Sequence, residues 1–331
     1  MRLCPLWRML AYVVALTVFQ LRILTEFVLV LIAWRPHPRS PCLRDLSITV
    51  RQVDLRLRLF SSWPRALLSI SRDRKSPFLD HAAYNRFYNG VWLVANDIIF
   101  GLALGSFLLQ NSEAIGQLCG HVLEKYSIST IDTTIEWLKG WPAGLKLNSD
   151  LDHFLGDMFL WMLRIWSEIL LTVKPALPGV VSVIGAMGIV GGSMMVSLAT
   201  DIMSLLTLHI YWFYVGAARI YHWQLMILHS LFNLFRGKKR NVLRHRIDSH
   251  NYDLDQLLIG TILFTLLAFL FPTVAVYYAT FCASRVIIMS FRAVCELFLA
   301  LFNHFPLFLV MLRIKDPARL PGKLGVCAAL R

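Results

Sequence analysis

The sequence is short of charge. Asp, Glu, Lys and Arg together supply 16% of its 331 residues, against about a quarter in an ordinary globular chain. Hydrophobic residues reach 57%, and the mean hydropathy is +0.58. A single core cannot absorb that excess, because cores stop growing beyond about 250–300 residues. A soluble domain is therefore excluded, and the surplus must face lipid. Cysteine patterns are missing too. The six cysteines, at 4, 42, 119, 282, 295 and 327, form no Cys-x-x-Cys pair, so neither a disulfide framework nor a zinc site is implied. The histidines are scattered, and His245 and His250 have no cysteine or carboxylate set to complete a metal site. Gly-rich phosphate loops, Ser/His/Asp arrangements and His-Glu-x-x-His are absent. No alternating βα pattern would build a nucleotide domain. No cofactor, metal or catalytic residue is assigned, and the missing Asn-x-Ser/Thr sequon removes any glycosylation clue.

Long apolar runs are abundant. Lys174 to Asp201 encloses 26 residues without a charge, and Asp255 to Arg285 encloses 29. Both exceed the roughly 20 residues that cross a hydrocarbon core as helix, and helix is required because lipid cannot hydrogen-bond to an open backbone. Pro272 predicts a kink, not an end. Four further stretches are long enough: 90–109 with Asn96 and Asp97; 154–174 with Asp157, Arg164 and Glu168; 202–226 with Arg219; and 288–312 with Arg292 and Glu296. Their polar groups are expected to face other helices or to snorkel. The fold class is thus all-α, a polytopic membrane protein with about six spans. A seventh hydrophobic stretch, 9–33, is expected to be a retained anchor or interfacial helix, since no small-x-small cleavage site follows it before Arg35. The resulting organisation is a hydrophobic helix at 1–34, a basic segment at 35–89, a multi-span domain at 90–312 and a basic tail at 313–331.

The formal charge of +13 is unevenly distributed. Segment 35–89 has eleven Lys/Arg and four acids, and 236–255 has six and three. The tail 313–331 has five and one, whereas 110–153 has three against six. The positive-inside rule places the three basic segments in the cytosol and 110–153 opposite. Four spans then separate the first two basic segments, and two separate the last pair. Alternation over 53–59 suggests a short strand or hairpin. Beside membrane spans, the partner for Arg51, Arg56 and Arg58 is an anionic leaflet and not nucleic acid. The same holds for Arg236, Lys238, Lys239 and Arg240, where a phosphoinositide headgroup is one ligand and a solvated topology signal the plainer reading.

Asp150-Leu151-Asp152 and Asp253-Leu254-Asp255 have the spacing of sugar-nucleotide transferase metal pairs. Each instead precedes a hydrophobic helix, where acids complement the dipole and cap N–H groups. Gly185, Gly188, Gly191 and Gly192 suit close helix packing. Gly140, Pro142 and Gly144 impose a turn between Trp137 and Leu147, and Trp137 and Trp141 suit the headgroup region. This elbow, with Trp137, Trp141, Pro142, Gly144 and Lys146, and the basic run Arg236, Lys238, Lys239 and Arg240 are the expected partner or lipid contacts.

The elbow also carries a resemblance. The run WLKGWPAGLKLNSDLDHFLGDMFLWMLRIW (137–166) resembles the signature of the PIG-Q family, subunit Q of the phosphatidylinositol N-acetylglucosaminyltransferase complex. So do DIMSLLTLHIYWFYVGAARIY (201–221), LFRGKKRNVLRHRIDSHNYDLDQLLIGTILFTLLAFLFPT (234–273) and, upstream, YNGVWLVANDIIFG (88–101). The resemblance implies a multi-span subunit of the endoplasmic-reticulum complex that starts GPI-anchor synthesis by moving N-acetylglucosamine from UDP-N-acetylglucosamine to phosphatidylinositol. It implies that the chemistry belongs to a separate subunit, PIG-A, with PIG-C, PIG-H, PIG-P, PIG-Y and DPM2 as further partners, and that this chain is a non-catalytic scaffold. The alternatives are a transporter or lipid scramblase, suggested by the intramembrane charges, and a direct part in sugar-lipid chemistry through the two Asp-x-Asp pairs.

Overall fold

The computed structural model describes residues 5–35, 37, 40–72, 77–140, 144, 147–241, 246–249 and 251–315. It divides into two compact units, one drawn from Met1–Ser112, Val181–Ile202 and Val294–Arg331, the other from Glu113–Val180 and Met203–Ala293. Helices dominate, as expected.

The first unit opens with α1 (Pro5–Ala33), α2 (Leu43–Leu46), α3 (Ile48–Arg72) and α4 (Pro77–Gln110). Stretch 9–33 lies within α1, which exposes Leu21, Phe27 and Val30. The strand expected over 53–59 is not present. Those residues belong to α3, on which Ile48, Gln52 and Arg56 recur every four residues on a buried stripe, with Asp54 buried beside them. The alternating leucines satisfied both periods, and tertiary burial selected the helical one.

Segment 185–192 packs on α4 through glycine. A Cβ on Gly101 would stand 2.5 Å from Gly192 N, and one on Gly105 would stand 2.5 Å from Gly185 O. Only residues without side chains let the two backbones approach this closely. The uncharged run after Lys174 is accordingly not one straight span. It forms α8 (Leu177–Ala186) and a 3₁₀ turn (Met187–Ile189), and then breaks before α9 (Gly192–Leu206). At the break Gly191 has φ 145, which L side chains rarely adopt, and a Cβ there would strike the Asp97 carboxylate.

In the second unit, α5 (Ser112–Leu123) passes through a π-helical turn (Glu124–Ser129) into α6 (Thr130–Lys139). These pack with α7 (Ser149–Val173), α10 (Leu208–Phe235) and residues up to 293 of α11 (Leu254–His304). Phe159 is central to the core, with ring centroids 4.5 Å from Phe281, 5.6 Å from Phe213 and 6.0 Å from Tyr277. Ile131, Ile135 and Leu138 close the core from the α6 side. The π turn presents the buried Ser127 to His209, whose Nε2 lies 3.0 Å from Ser127 O and 3.1 Å from Ser127 Oγ. The basic run forms a small antiparallel ribbon, β1 (Lys238–Asn241) with β2 (Arg246–Ser249), in register Lys238↔Ser249. It is the exception to an otherwise α-helical chain among the described residues.

Among the described residues, three helices are long and apolar enough to cross a membrane: Phe87–Gln110, Ser149–Ile189 and Leu254–His304. A fourth results if α9 and α10, bent by 51° at their junction, form one span. The expected 90–109 span is found within α4. Segments 255–285 and 288–312, expected as separate spans, are instead joined in α11 up to His304, and α12 (Leu307–Lys315) follows. No Gly, Pro or Asn occurs between Thr273 and Phe302 to turn the chain, and the break falls at Phe305 and Pro306. The 51 residues of α11 have a contour of about 76 Å at about 1.5 Å per residue, well beyond a hydrocarbon core of about 30 Å. Among the described residues the candidate spans number three, or four with the bent pair, where about six were expected.

Candidate functional site

The most elaborate polar arrangement lies in the first unit. Asp97, on α4, is 1% exposed and accepts from Arg56 Nη2 at 2.6 Å, from Ser193 N at 2.8 Å and from Ser193 Oγ at 2.8 Å. Gln52 Nε2 donates to Ser193 Oγ at 2.8 Å and to Asn303 Oδ1 at 2.8 Å, and Asn303 Nδ2 returns a bond to Gln52 Oε1 at 2.9 Å. One knot thereby joins α3, α4, α9 and the end of α11. Burial lowers the Arg56 pKa from its ordinary value and the Asp97 carboxylate opposes that shift, so the guanidinium depends on this one carboxylate. One helical turn earlier, Asp201 accepts from Ser47 Oγ at 2.5 Å, Ile48 N at 3.0 Å and Thr49 N at 2.9 Å. A carboxylate from a distant helix thus caps the positive end of α3. The outer face of α3 is basic, but Arg51 pairs with Glu296 at 3.5 Å, and Arg58 and Arg44 share Asp54.

Asp97 was flagged by its position in a hydrophobic run, and Arg56 as a contact to an anionic leaflet, whereas it is buried against Asp97; Gln52, Ser193 and Asn303 were not singled out. The available signals were the four-residue recurrence at 48, 52 and 56 and the Gly101-x-x-x-Gly105 spacing, which names the surface that the 185–192 glycines meet.

In the second unit, both acids of the first Asp-x-Asp lie in the first turn of α7 behind the cap Asn148, whose Oδ1 accepts from Leu151 N at 3.0 Å. Asp152 is buried and accepts from Tyr277 Oη at 2.8 Å. Asp253 and Asp255 flank the start of α11. Both pairs mark helix starts, and among the described residues no group of three or more His, Cys, Asp or Glu comes together to hold a metal. Two of the other intramembrane charges, Asp157 and Arg219, have neighbours within reach. Lys139 Nζ donates to Asp157 Oδ1 at 2.7 Å, and the Arg219 guanidinium lies 6.0 Å from the Trp223 ring centroid.

The elbow begins at Gly140, which caps α6. Trp137 is 57% exposed, and Gly144 has φ 76, a left-handed conformation suited to glycine. Trp141, Pro142 and Lys146 lie outside the described residues. The far end is pinned to α11, where Asn148 N donates to Thr273 Oγ1 at 3.1 Å beside Pro272. Gln224 Nε2 donates to Leu267 O at 3.1 Å, one residue before the carbonyl that Pro272 leaves without its helical donor. In the basic run, the Arg236 guanidinium lies 5.9 Å from the Phe232 ring centroid at the end of α10, and Lys238, Lys239 and Arg240 belong to β1.

The family described as N-acetylglucosaminyl transferase component (Gpi1) matches residues 50–322. The chain belongs to the Gpi1 family. Its match takes in Gln52, Arg56, Asp97, Ser193 and Asn303, the elbow and the ribbon, and leaves α1 outside. A gpi1 protein of Schizosaccharomyces pombe, named N-acetylglucosaminyl-phosphatidylinositol biosynthetic protein, is 46% identical over 308 residues, covering 92% of this chain and 47% of its own. The Saccharomyces cerevisiae phosphatidylinositol N-acetylglucosaminyltransferase subunit GPI1 is 42% identical, covering 73% of this chain and 41% of its own. Human subunit Q of the same transferase is 41% identical, covering 71% and 31%. This Gpi1-family chain spans about half or less of each relative's length. No solved structure matches it.

Proposed function

We propose that this Gpi1-family chain is the membrane-embedded scaffold of the complex that transfers N-acetylglucosamine from UDP-N-acetylglucosamine to phosphatidylinositol in the endoplasmic reticulum. The single observation that carries the reading is the family match over residues 50–322, with relatives named as subunits of that transferase. The fate of these acids supports a structural role: the buried Asp97 and Asp152 and the half-buried Asp201 each accept from neighbouring helices. In this reading PIG-A carries the chemistry, and PIG-C, PIG-H, PIG-P, PIG-Y and DPM2 are the remaining partners. The elbow, through Trp137, Trp141, Pro142, Gly144 and Lys146, and the ribbon, through Arg236, Lys238, Lys239 and Arg240, are the contacts to those subunits or to anionic lipid. The basic segments 35–89 and 236–255 face the cytosol.

Co-purification tests the proposal. A tagged chain extracted in mild detergent brings down the glycosyltransferase subunit, and its absence from the eluate overturns the reading. Replacing Asp150 and Asp152, or Asp253 and Asp255, with Asn leaves transfer by the assembled complex intact. Loss of transfer with assembly preserved would give the chain a part in the chemistry.

A further inference from the structure

The second unit contains an open groove of about 420 Å³ lined by residues from the π turn and α6, from the α9–α10 junction and from α11. Lys139 and Tyr277 both flank Gly156. The chain preceding Lys139 therefore runs beside the helix following Tyr277, and the groove extends between them from Ile135 and Phe281 toward Tyr126 and Phe291.

Its walls look polar in sequence but are not polar in effect. Thr130 Oγ1 donates to Lys125 O at 2.9 Å, Thr134 to Thr130 O at 2.6 Å and Thr207 to Met203 O at 2.9 Å. Thr280 donates to Val276 O at 2.9 Å, Ser284 to Thr280 O at 3.0 Å, and Ser127 Oγ pairs with His209. Each of these hydroxyls already bonds within the protein, so the groove presents methyl and methylene surface and suits hydrocarbon. Its depth fits a lipid boundary. Arg285 is the first charge after the 29 uncharged residues that follow Asp255, so the α11 wall from Thr280 to Phe291 lies where an apolar run meets the interface. A cation stands at that end. The Lys125 ammonium is 5.8 Å from the centroid of the Tyr126 ring that lines the groove. The adjacent Glu124 carboxylate is taken by Lys174 at 2.6 Å, leaving the Lys125 charge for another anion.

We infer that this groove holds one acyl chain of an anionic glycerophospholipid, with the lipid phosphate at Lys125 and the chain directed toward Thr134 and Phe281. The site is separate from the elbow and the ribbon. It rests on membrane residence alone, so it stands or falls independently of complex membership.

The test uses the full chain in vesicles of phosphatidylcholine doped with phosphatidylglycerol that carries a diazirine in its acyl chain. After irradiation, labelled peptides concentrate in 122–135 and 280–291. Ser284→Trp, which fills the groove, removes that labelling while leaving insertion unchanged. Lys125→Gln lowers the preference for the phosphatidylglycerol probe over the matching phosphatidylcholine probe about fivefold, the equivalent of about 1 kcal/mol for one basic residue near the surface. Labelling of the unsubstituted chain that is as dense on the exposed stretch 258–269 as in the groove overturns the proposal, whatever the variants do. So does labelling of a correctly inserted Ser284→Trp chain at the original level.

Discussion

The two units answer the same difficulty in different ways. Lipid tails are as apolar as leucine, so burying hydrocarbon gains little between helices in a bilayer, and close packing and hydrogen bonds must hold them together. The first unit uses glycine contacts and an ion pair: Gly101 and Gly105 admit the backbone of 185–192, and Arg56 is locked to Asp97 and Ser193. The second uses large rings, with Phe159, Phe213, Tyr277 and Phe281 in mutual contact. An ion pair with one carboxylate is all-or-none, whereas a cluster of rings loses contacts by degrees. The first unit should therefore be brittle and the second graded.

The largest expected effect comes from stranding the buried guanidinium. Asp97→Ala should destabilise the first unit by about 3–5 kcal/mol, because an uncompensated charge remains inside. The double change Arg56→Met with Asp97→Leu should restore most of that stability. Thermal unfolding in detergent, with hydrogen exchange of α9 as the local reporter, measures both, and a single variant no worse than the double would dissolve the distinction between the units. Phe159→Ala should cost about 3 kcal/mol, the lower end for such truncations, since surrounding rings can settle inward. Its losses should appear in α7 and α11 peptides up to 293 and not in α9. Gly101→Ala should follow at about 1–3 kcal/mol, as the added methyl forces two backbones apart. If it is silent in hydrogen exchange of 185–192, the glycine contact is not what holds that segment. The smallest effect is expected at Glu124. Lys174 holds its carboxyl below the usual range, by hydrogen bond first and charge second. Its stabilising contribution is therefore complete above the ordinary glutamate pKa and disappears as pH falls through the lowered folded-state value. Glu124→Gln should lower the neutral plateau slightly and flatten the acid limb in a pH series of melts, so that the two chains converge at low pH.

Membrane residence and helical class follow from charge scarcity and uninterrupted runs, and the close packing of 185–192 follows from its glycine spacing. The partner surface on α4 was also written in the sequence, because Gly101 and Gly105 stand four apart. The helical state of 53–59 was not legible, since Leu55, Leu57 and Leu59 satisfy a period of two while the deciding stripe of Ile48, Gln52 and Arg56 contains two polar residues. Nor was the continuity of α11. Arg285 and Arg292 resemble span boundaries, but charge alone does not turn a helix when no Gly, Pro or Asn is present to do so. The Gln52–Asn303 pair joins positions 251 residues apart, a link that local pattern cannot reveal.

That pair also sets an order of events during synthesis. The first unit needs three separate stretches of chain, and its last contributor is the end of α11. The second unit has all its residues once Ala293 has been made. Gln52 must wait for Asn303 until the residues of the second unit, which lie between the two in sequence, have been made. Synthesis halted between Ala293 and Asn303 would leave a chain with every residue of one unit and the other still open.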